Sequence, residues 1–315
     1  CKSDLLMMNE NPENIHGPCS SISGDRLQGR KFDYMITNPP FGVSWKSEQE
    51  FINAESKDLN GRFFIGTPRT SDGSLLFLQH MIHKMNPEGS RIGIVFNGSP
   101  LFTGDAGSGE SDIRKWIIEN DWLECIVQLP DRIFFNTAIT TYFWIVTNKK
   151  SPNRQGKVQL IDASNQCTSM RKNLGDKGKF ISEEQIKKLF NIYQNFEENQ
   201  FCKIYPNSFF GYTKIMVEQP LIENGVLKKD KKGNFKSDSK KRDYERIPLS
   251  QDVDEYFAKE VKSHLPNAWM DRSNDKIGYE INFTRYFYKF LNLRSVKEIQ
   301  KDLEQISIKI KEIEE

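Results

Sequence analysis

The chain has 315 residues, 37% of them hydrophobic, which is enough to bury a substantial core and excludes an intrinsically disordered protein. Its formal net charge is only +2, so any contact with nucleic acid must come from a local patch or from a partner. Five cysteines, an odd number without CxxC spacing, indicate free thiols in a reducing compartment and exclude a zinc site of that type. Since no apolar run reaches the length of a membrane span, we expect a cytoplasmic protein without membrane contact.

The first distinctive pattern is FDYMITNPPFG at residues 32–42. Residues 32–37 predict a short buried strand, and residues 38–42 predict a turn at its carboxyl end, where ligands bind in open α/β sheets. Proline has no backbone N–H, so this turn offers mainly acceptors, namely the Asn38 side-chain oxygen and the Pro39 carbonyl. With Phe41 as a flat apolar face beside them, the turn suits a planar ring that carries an exocyclic amine. Asn-Pro alone is common in ordinary turns, but the complete pattern favours a binding site.

The next segments predict alternating helices and strands. Residues 43–69 are either an extended loop over the site, acting as a lid or a DNA contact, or an ordinary solvated loop. Asp72 or Ser74 would cap the helix that follows. Apolar patterning predicts strands at 91–96, 123–129, 139–147 and 158–162, and a helix near 183–196. The lysine-rich segment 226–246 favours a solvated loop over a patch for the DNA backbone, because acidic residues are interspersed.

The C-terminal segment has a coiled-coil pattern. Its apolar residues follow one another in alternating steps of three and four, at Val296, Ile299, Leu303, Ile306, Ile310 and Ile313. A single helix cannot hide such a stripe, so the stripe needs either a partner helix or a surface of its own chain.

Together these motifs resemble the modification (methyltransferase) subunit of type I restriction–modification systems, which methylates adenine N6 in DNA. Besides NPPF, the segments that carry the resemblance are 72–80, 89–95, 98–102, 134–137, 161–164, 210–212 and 217–221. The resemblance implies an α/β fold with the Rossmann-like sheet of class I methyltransferases that use S-adenosylmethionine, truncated at its N-terminus. A C-terminal α-rich region and a terminal coiled-coil-like helix would follow. The implied divisions are 1–205 for the catalytic part, 206–292 for the C-terminal region and 293–315 for partner docking.

The resemblance also implies a set of site residues. Asn38, Pro39, Pro40 and Phe41 would form the catalytic turn, and no metal would be needed. Phe41 and an aromatic residue on the opposite side would stack on the target base; Phe134 and Phe135 are the candidates, and we expect one of them to pack into the core instead. The cofactor would contact Asn38 and either Ser20, by its spacing to the turn, or Asp25, by the closer sequence match.

S-adenosylmethionine is the cofactor that the resemblance implies, although the glycine-rich turn that holds it in the family would precede residue 1. We therefore expect the chain to resemble the C-terminal part of a longer enzyme and to be inactive alone. The implied partners are double-stranded DNA, a specificity subunit bound through 293–315, a restriction subunit and a second modification subunit. Two alternatives remain open: an inactive fragment that serves only as a docking module, and a methyltransferase acting on RNA adenine or protein glutamine.

Overall fold

Apolar, β-branched runs form the central strands of the protein, and serine or aspartate side chains cap several of its helices. The computed structural model describes residues 2–288 and 295–314, which divide into two units, Cys1–Phe283 and Thr284–Glu315. The strands are β1 (Tyr34–Thr37), β2 (Arg91–Phe96), β3 (Leu123–Gln128), β4 (Tyr142–Thr147), β5 (Lys157–Asp162), β6 (Thr168–Leu174), β7 (Lys177–Phe180), β8 (Cys202–Pro206), β9 (Gly211–Glu218), β10 (Ile222–Glu223), β11 (Val226–Leu227), β12 (Asp243–Pro248) and β13 (Trp269–Tyr279). The helices are α1 (Lys2–Met7), α2 (Gln49–Glu55), α3 (Ser74–His83), α4 (Ser99–Phe102), α5 (Gly109–Glu119), α6 (Glu183–Asn195), α7 (Val253–Tyr256), α8 (Phe283–Phe287) and α9 (Val296–Glu314).

A mixed sheet with the order β1-β2-β4-β3-β5-β8 forms the centre of the larger unit. The pairs β1–β2 and β3–β5 are parallel, and the other neighbours are antiparallel. Central strands carry buried side chains such as Ile92, Ile94, Trp144 and Val146. Because β1 and β2 run parallel, their carboxyl ends lie at the same edge of the sheet, which is where the NPPF turn begins.

Within residues 2–288 and 295–314, strand β1 lies at one edge of this sheet and pairs only with β2. Its side chains Tyr34 and Ile36 are 79% and 84% exposed. The prediction of a buried strand at this position is therefore wrong. An apolar strand is buried on both sides only when neighbouring elements cover it, and the described residues place no element over these two side chains.

The segment between β1 and α3 packs as a small core of its own. Trp45 and Phe63 are buried, and the Trp45 indole N–H donates to the Arg69 carbonyl at 2.9 Å. Arg62 forms an ion pair with Glu55 at 2.6 Å and donates to His80 Nδ1 at 2.9 Å. The segment is therefore not an ordinary solvated loop, because Trp45, Phe63 and Arg62 pack within it, and its role as a lid or a DNA contact stays a prediction. The N-cap of α3 is Gly73, and no side chain caps the helix, so the expected capping by Asp72 or Ser74 is wrong; the Asp72 carboxylate instead accepts a hydrogen bond from the Ser74 N–H at 3.1 Å just before the helix.

The region after β8 is built mainly from strands, which corrects the expected α-rich region. Strand β9 pairs with both β12 and β13, and the alternating residues Ile215 and Val217 face a buried cluster. Such period-two alternation is typical of a strand that is covered on one face. The buried Arg114 of α5 connects this sheet to the loops after β2, since its guanidinium donates to the carbonyls of Tyr279, Pro100, Thr103 and Gly104 at 2.6–3.1 Å.

Helix α9 makes up most of the smaller unit and confirms the predicted C-terminal helix. Its apolar stripe is exposed at every position whose side chain the structure describes, from Val296 to Ile310. Residues 293, 294 and 315 of the predicted docking segment lie outside the described residues, as does the Ile313 side chain. None of the helices in the described ranges has the length and apolarity needed to cross a bilayer.

Candidate active site

A cavity of about 730 Å³ lies at the carboxyl end of β1. The NPPF turn forms one part of its wall, and the loop between β3 and β4 forms another part. The lining residues are Asn38, Pro39, Pro40, Phe41, Gly42, Asn97, Phe134, Phe135, Asn136, Thr137 and Ile139. The structure therefore brings the predicted turn and both predicted stacking candidates to one cavity.

The NPPF turn presents hydrogen-bond acceptors without donors to match them. Asn38 is exposed, and no described residue donates a hydrogen bond to its side chain or to the Pro39 carbonyl. Pro39 is buried and Phe41 is half-buried, so the turn is anchored while Asn38 faces the open side of the cavity. Gly42 has a φ of +61°, a left-handed conformation that glycine adopts without strain and that lets the chain turn away after Phe41.

The two aromatic candidates on the other part of the wall are both accessible. Phe135 is 55% exposed and Phe134 is half-buried, so the expectation that one of them packs into the core is wrong. The loop turns tightly here, since Phe134 forms an antiparallel bridge with Thr137. Lys177 of β7 places its Nζ 4.7 Å from the centre of the Phe135 ring.

Asn97 is a cavity residue that the sequence analysis missed. It follows β2 directly and therefore lies at the same sheet edge as Asn38. Its side-chain oxygen accepts a hydrogen bond from the Ser99 N–H at 3.1 Å, which orients the amide at the start of α4. A polar residue directly after the strand that neighbours β1 was the available signal, but the pairing of the two strands cannot be read from local patterning.

Ser20 and Asp25, the two sequence candidates for a cofactor contact, do not line this cavity. The Ser20 hydroxyl accepts hydrogen bonds from the Ile22 and Ser23 N–H groups. Asp25 forms an ion pair with Lys84 at 2.7 Å and lines a separate cleft of about 370 Å³. Burial alone would raise the pKa of Asp25, but its hydrogen bonds and the charge of Lys84 outweigh burial and leave the pKa below its ordinary value. Both side chains thus have structural contacts, and their role at a cofactor stays a prediction.

The residues of the described ranges include no group of three or more His, Cys, Asp or Glu side chains that could hold a metal ion.

A family model described as N-6 DNA methylase matches residues 1–208. The chain belongs to the N-6 DNA methylase family. The resemblance inferred from its motifs is therefore confirmed at the level of the family.

Several relatives of this N-6 DNA methylase chain are methylase subunits of type I restriction enzymes. The MjaIX methylase subunit of Methanocaldococcus jannaschii is 28% identical over 210 residues, which cover 66% of this chain and 35% of the relative. The HindI methylase subunit of Haemophilus influenzae is 34% identical over 134 residues, covering 42% of this chain and 28% of the relative. The chain thus spans about a third of the length of these relatives.

A solved structure supports the fold assignment of this N-6 DNA methylase. The methyltransferase subunit of a type I restriction–modification system from Streptococcus thermophilus matches with a TM-score of 0.55 and 24% identity, covering 65% of this chain and 41% of that one. The predicted class I methyltransferase fold is confirmed by this match.

Proposed function

We propose that the chain is the catalytic part of the modification subunit of a type I restriction–modification system, which methylates adenine N6 in double-stranded DNA. The observation that carries this proposal is the cavity in which the unpaired acceptors of Asn38 and Pro39 lie beside Phe41 and share a wall with Phe134 and Phe135. The family match and the type I relatives support the same substrate. S-adenosylmethionine, when bound, would supply a sulfonium methyl group.

The acceptors of the turn address the main chemical obstacle to this reaction. The lone pair of an adenine amine is delocalised into the ring, so the amine is a poor nucleophile. If Asn38 Oδ1 and the Pro39 carbonyl accept hydrogen bonds from the two N–H groups of the amine, they favour tetrahedral geometry at its nitrogen. The lone pair is then directed towards the methyl donor. These acceptors are fixed before the base arrives, so little reorganisation is needed during the reaction.

The aromatic residues of the cavity would help the target base to leave the duplex. An adenine in a duplex must leave the stack before its amine can reach Asn38, at a cost of a few kcal/mol. Stacking on one aromatic face is worth about 1–3 kcal/mol, so Phe41 together with Phe134 or Phe135 would offset much of that cost.

For the cofactor, we propose that Asn38 would lie at its reactive end and that either Ser20 or Asp25 would contact another part of it. We propose that a segment of the full-length protein preceding this chain covers the exposed edge of β1 and supplies the remaining cofactor contacts. The exposure of Tyr34 and Ile36 supports this arrangement. The isolated chain should then bind S-adenosylmethionine weakly and transfer no methyl group.

The exposed stripe of α9 and the type I relatives support a proposal for the partners of the complex. We propose that residues 206–292 separate the catalytic part, 1–205, from the docking segment 293–315, which binds the specificity subunit. A second modification subunit and a restriction subunit would complete the assembly. The exposure of Leu303, Ile306 and Ile310 supports a partner helix at this stripe.

The test is Asn38→Ala in the full-length protein assembled with its partners. Because the change removes one acceptor and leaves the buried Pro39 in place, assembly should be intact while adenine methylation falls at least about 100-fold. Asn191→Ala on the exposed side of α6 is the matched control and should retain full activity. Near-normal methylation by Asn38→Ala would contradict the proposal, and transfer to RNA or to a glutamine instead of DNA would replace the substrate.

A further inference from the structure

A basic hairpin lies beside the cavity and has no role in the chemistry described above. Strands β6 and β7 pair in antiparallel fashion around the two-residue turn of Gly175 and Asp176, and we call residues 168–180 the basic ribbon. Gly175 has a φ of +63°, as the first position of a II′ turn requires. Together with Asp131 and Arg132 of the cavity loop, the ribbon contains five cationic side chains and two carboxylates. Its local net charge of +3 exceeds the +2 of the whole chain.

Backbone contacts attach the basic ribbon to the loop that carries Phe134 and Phe135. The Asp176 N–H donates to the Phe135 carbonyl at 3.0 Å, and the Gly178 and Lys179 N–H groups donate to the Arg132 carbonyl at 2.9 and 3.1 Å. A Cβ at Gly175 would lie 2.8 Å from the Phe135 carbonyl oxygen, so the turn is pressed against this loop. The ribbon is therefore held at the rim of the cavity.

The cationic side chains of the basic ribbon differ in their contacts. Lys179 forms an ion pair with Asp131 at 2.5 Å, and Lys177 lies over the Phe135 ring. Arg171 and Lys172 are exposed, and within residues 2–288 and 295–314 neither has an ion-pair partner. These two side chains thus remain free to bind an anion.

We propose that the basic ribbon binds the phosphodiester backbone of the DNA strand that carries the target base, with Arg171 and Lys172 as its phosphate contacts. This inference rests on the proposed function. A base that leaves the duplex stays attached to its strand, so the flanking phosphates must lie at the rim of the cavity that receives it. Exposed arginine and lysine side chains there bind phosphate oxygens without reading the sequence, which is left to another part of the complex.

The test is the salt dependence of DNA binding by the full-length complex, measured by fluorescence anisotropy with a labelled duplex. Each phosphate contact contributes about 0.9 to the slope of log K against log salt, so Arg171→Ala with Lys172→Ala should lower the slope by about 1.8. Over a roughly fourfold rise in salt, the wild-type complex should then lose about 12-fold more affinity than the double variant. Lys231→Ala with Lys232→Ala removes two exposed charges from the lysine-rich loop and should leave the slope unchanged.

The charge-conserving pair Arg171→Lys with Lys172→Arg should keep the wild-type slope. Equal slopes for the wild type and the alanine pair would overturn the proposal, as would loss of subunit assembly without a change in slope, since the ribbon would then be a protein interface. Methyl transfer is measured separately on the same samples. A lower slope in a complex that never methylates DNA would support the ribbon contact and overturn the proposed function. DNA methylation together with equal slopes for the wild type and the alanine pair would support the proposed function and overturn the ribbon contact.

Discussion

His80 should make the folded chain lose stability as the pH falls below neutrality. His80 is a buried residue of α3, and its Nδ1 accepts a hydrogen bond from Arg62 at 2.9 Å. A guanidinium has no acceptor, so this contact requires that Nδ1 carry no proton. Burial and the positive charge of Arg62 lower the pKa of His80 from 6.5 to about 4. The unfolded chain therefore binds a proton in this pH range that the folded chain does not bind.

The size of the effect follows from the two pKa values. Stability is complete above pH 6.5 and is lost progressively as the pH falls from 6.5 towards 4, because only the unfolded state is protonated there. At about pH 5 the loss corresponds to about 2 kcal/mol, and screening by nearby water reduces it to about 1–2 kcal/mol. His80→Gln supplies a neutral acceptor for Arg62 that cannot titrate, so it should remove this part of the pH dependence.

Urea unfolding at a series of pH values, followed by tryptophan fluorescence, would measure the difference between wild type and His80→Gln. The two curves of unfolding free energy against pH should run parallel above pH 7. Near pH 5 the wild type should have lost about 1–2 kcal/mol more stability than His80→Gln. His264→Gln, which removes an exposed histidine, should reproduce the wild-type curve. Parallel curves for wild type and His80→Gln down to pH 4 would show that His80 takes up its proton in the folded chain.

Three further changes test other parts of the molecule. Phe41→Ala should weaken the holding of the flipped base by about 1–3 kcal/mol, measured from the fluorescence of 2-aminopurine at the target position; unchanged emission would make Phe41 a packing residue. Arg114→Met should cost at least about 3 kcal/mol in urea unfolding, since several buried carbonyls lose their donor, whereas the exposed Arg26→Met should cost almost nothing. Leu303→Asp with Ile310→Asp should abolish co-purification with the specificity subunit and leave the melting temperature of the lone subunit unchanged. A lower melting temperature with the pull-down preserved would contradict that interface.

The sequence predicted those elements whose signal is local. Strands β2 to β5 and helices α6 and α9 coincide within a few residues with apolar runs or periodic stripes, because each carries its own pattern of apolar residues in one continuous stretch of sequence. The pairing of β9 with β12 and β13 was missed, since it joins segments separated by many polar residues. The basic ribbon was missed for another reason: most of its side chains are exposed, so no hydrophobic alternation marks its strands.

The candidate site likewise contains some features that the sequence predicts and others that it does not. The NPPF turn could be predicted because its acceptors and its aromatic face are consecutive residues. Asn97 reaches the cavity only through the order of the strands, which brings β2 beside β1, whereas Phe134 and Phe135 were expected there from the family resemblance. The internal use of Arg62 and Trp45 could not be predicted either, because an arginine or a tryptophan in a polar segment has the same local pattern whether it is packed or solvated.

The open edge of β1 has a consequence for handling the protein. Its outer backbone N–H and C=O groups are a template for another strand, and the exposed Tyr34 and Ile36 make pairing with a second molecule favourable. The isolated chain should therefore self-associate with rising concentration, edge to edge. Ile36→Lys would place a charge on that edge and keep the chain monomeric in sedimentation experiments. In the full-length protein, the same charge would weaken the pairing of β1 with any segment that covers it.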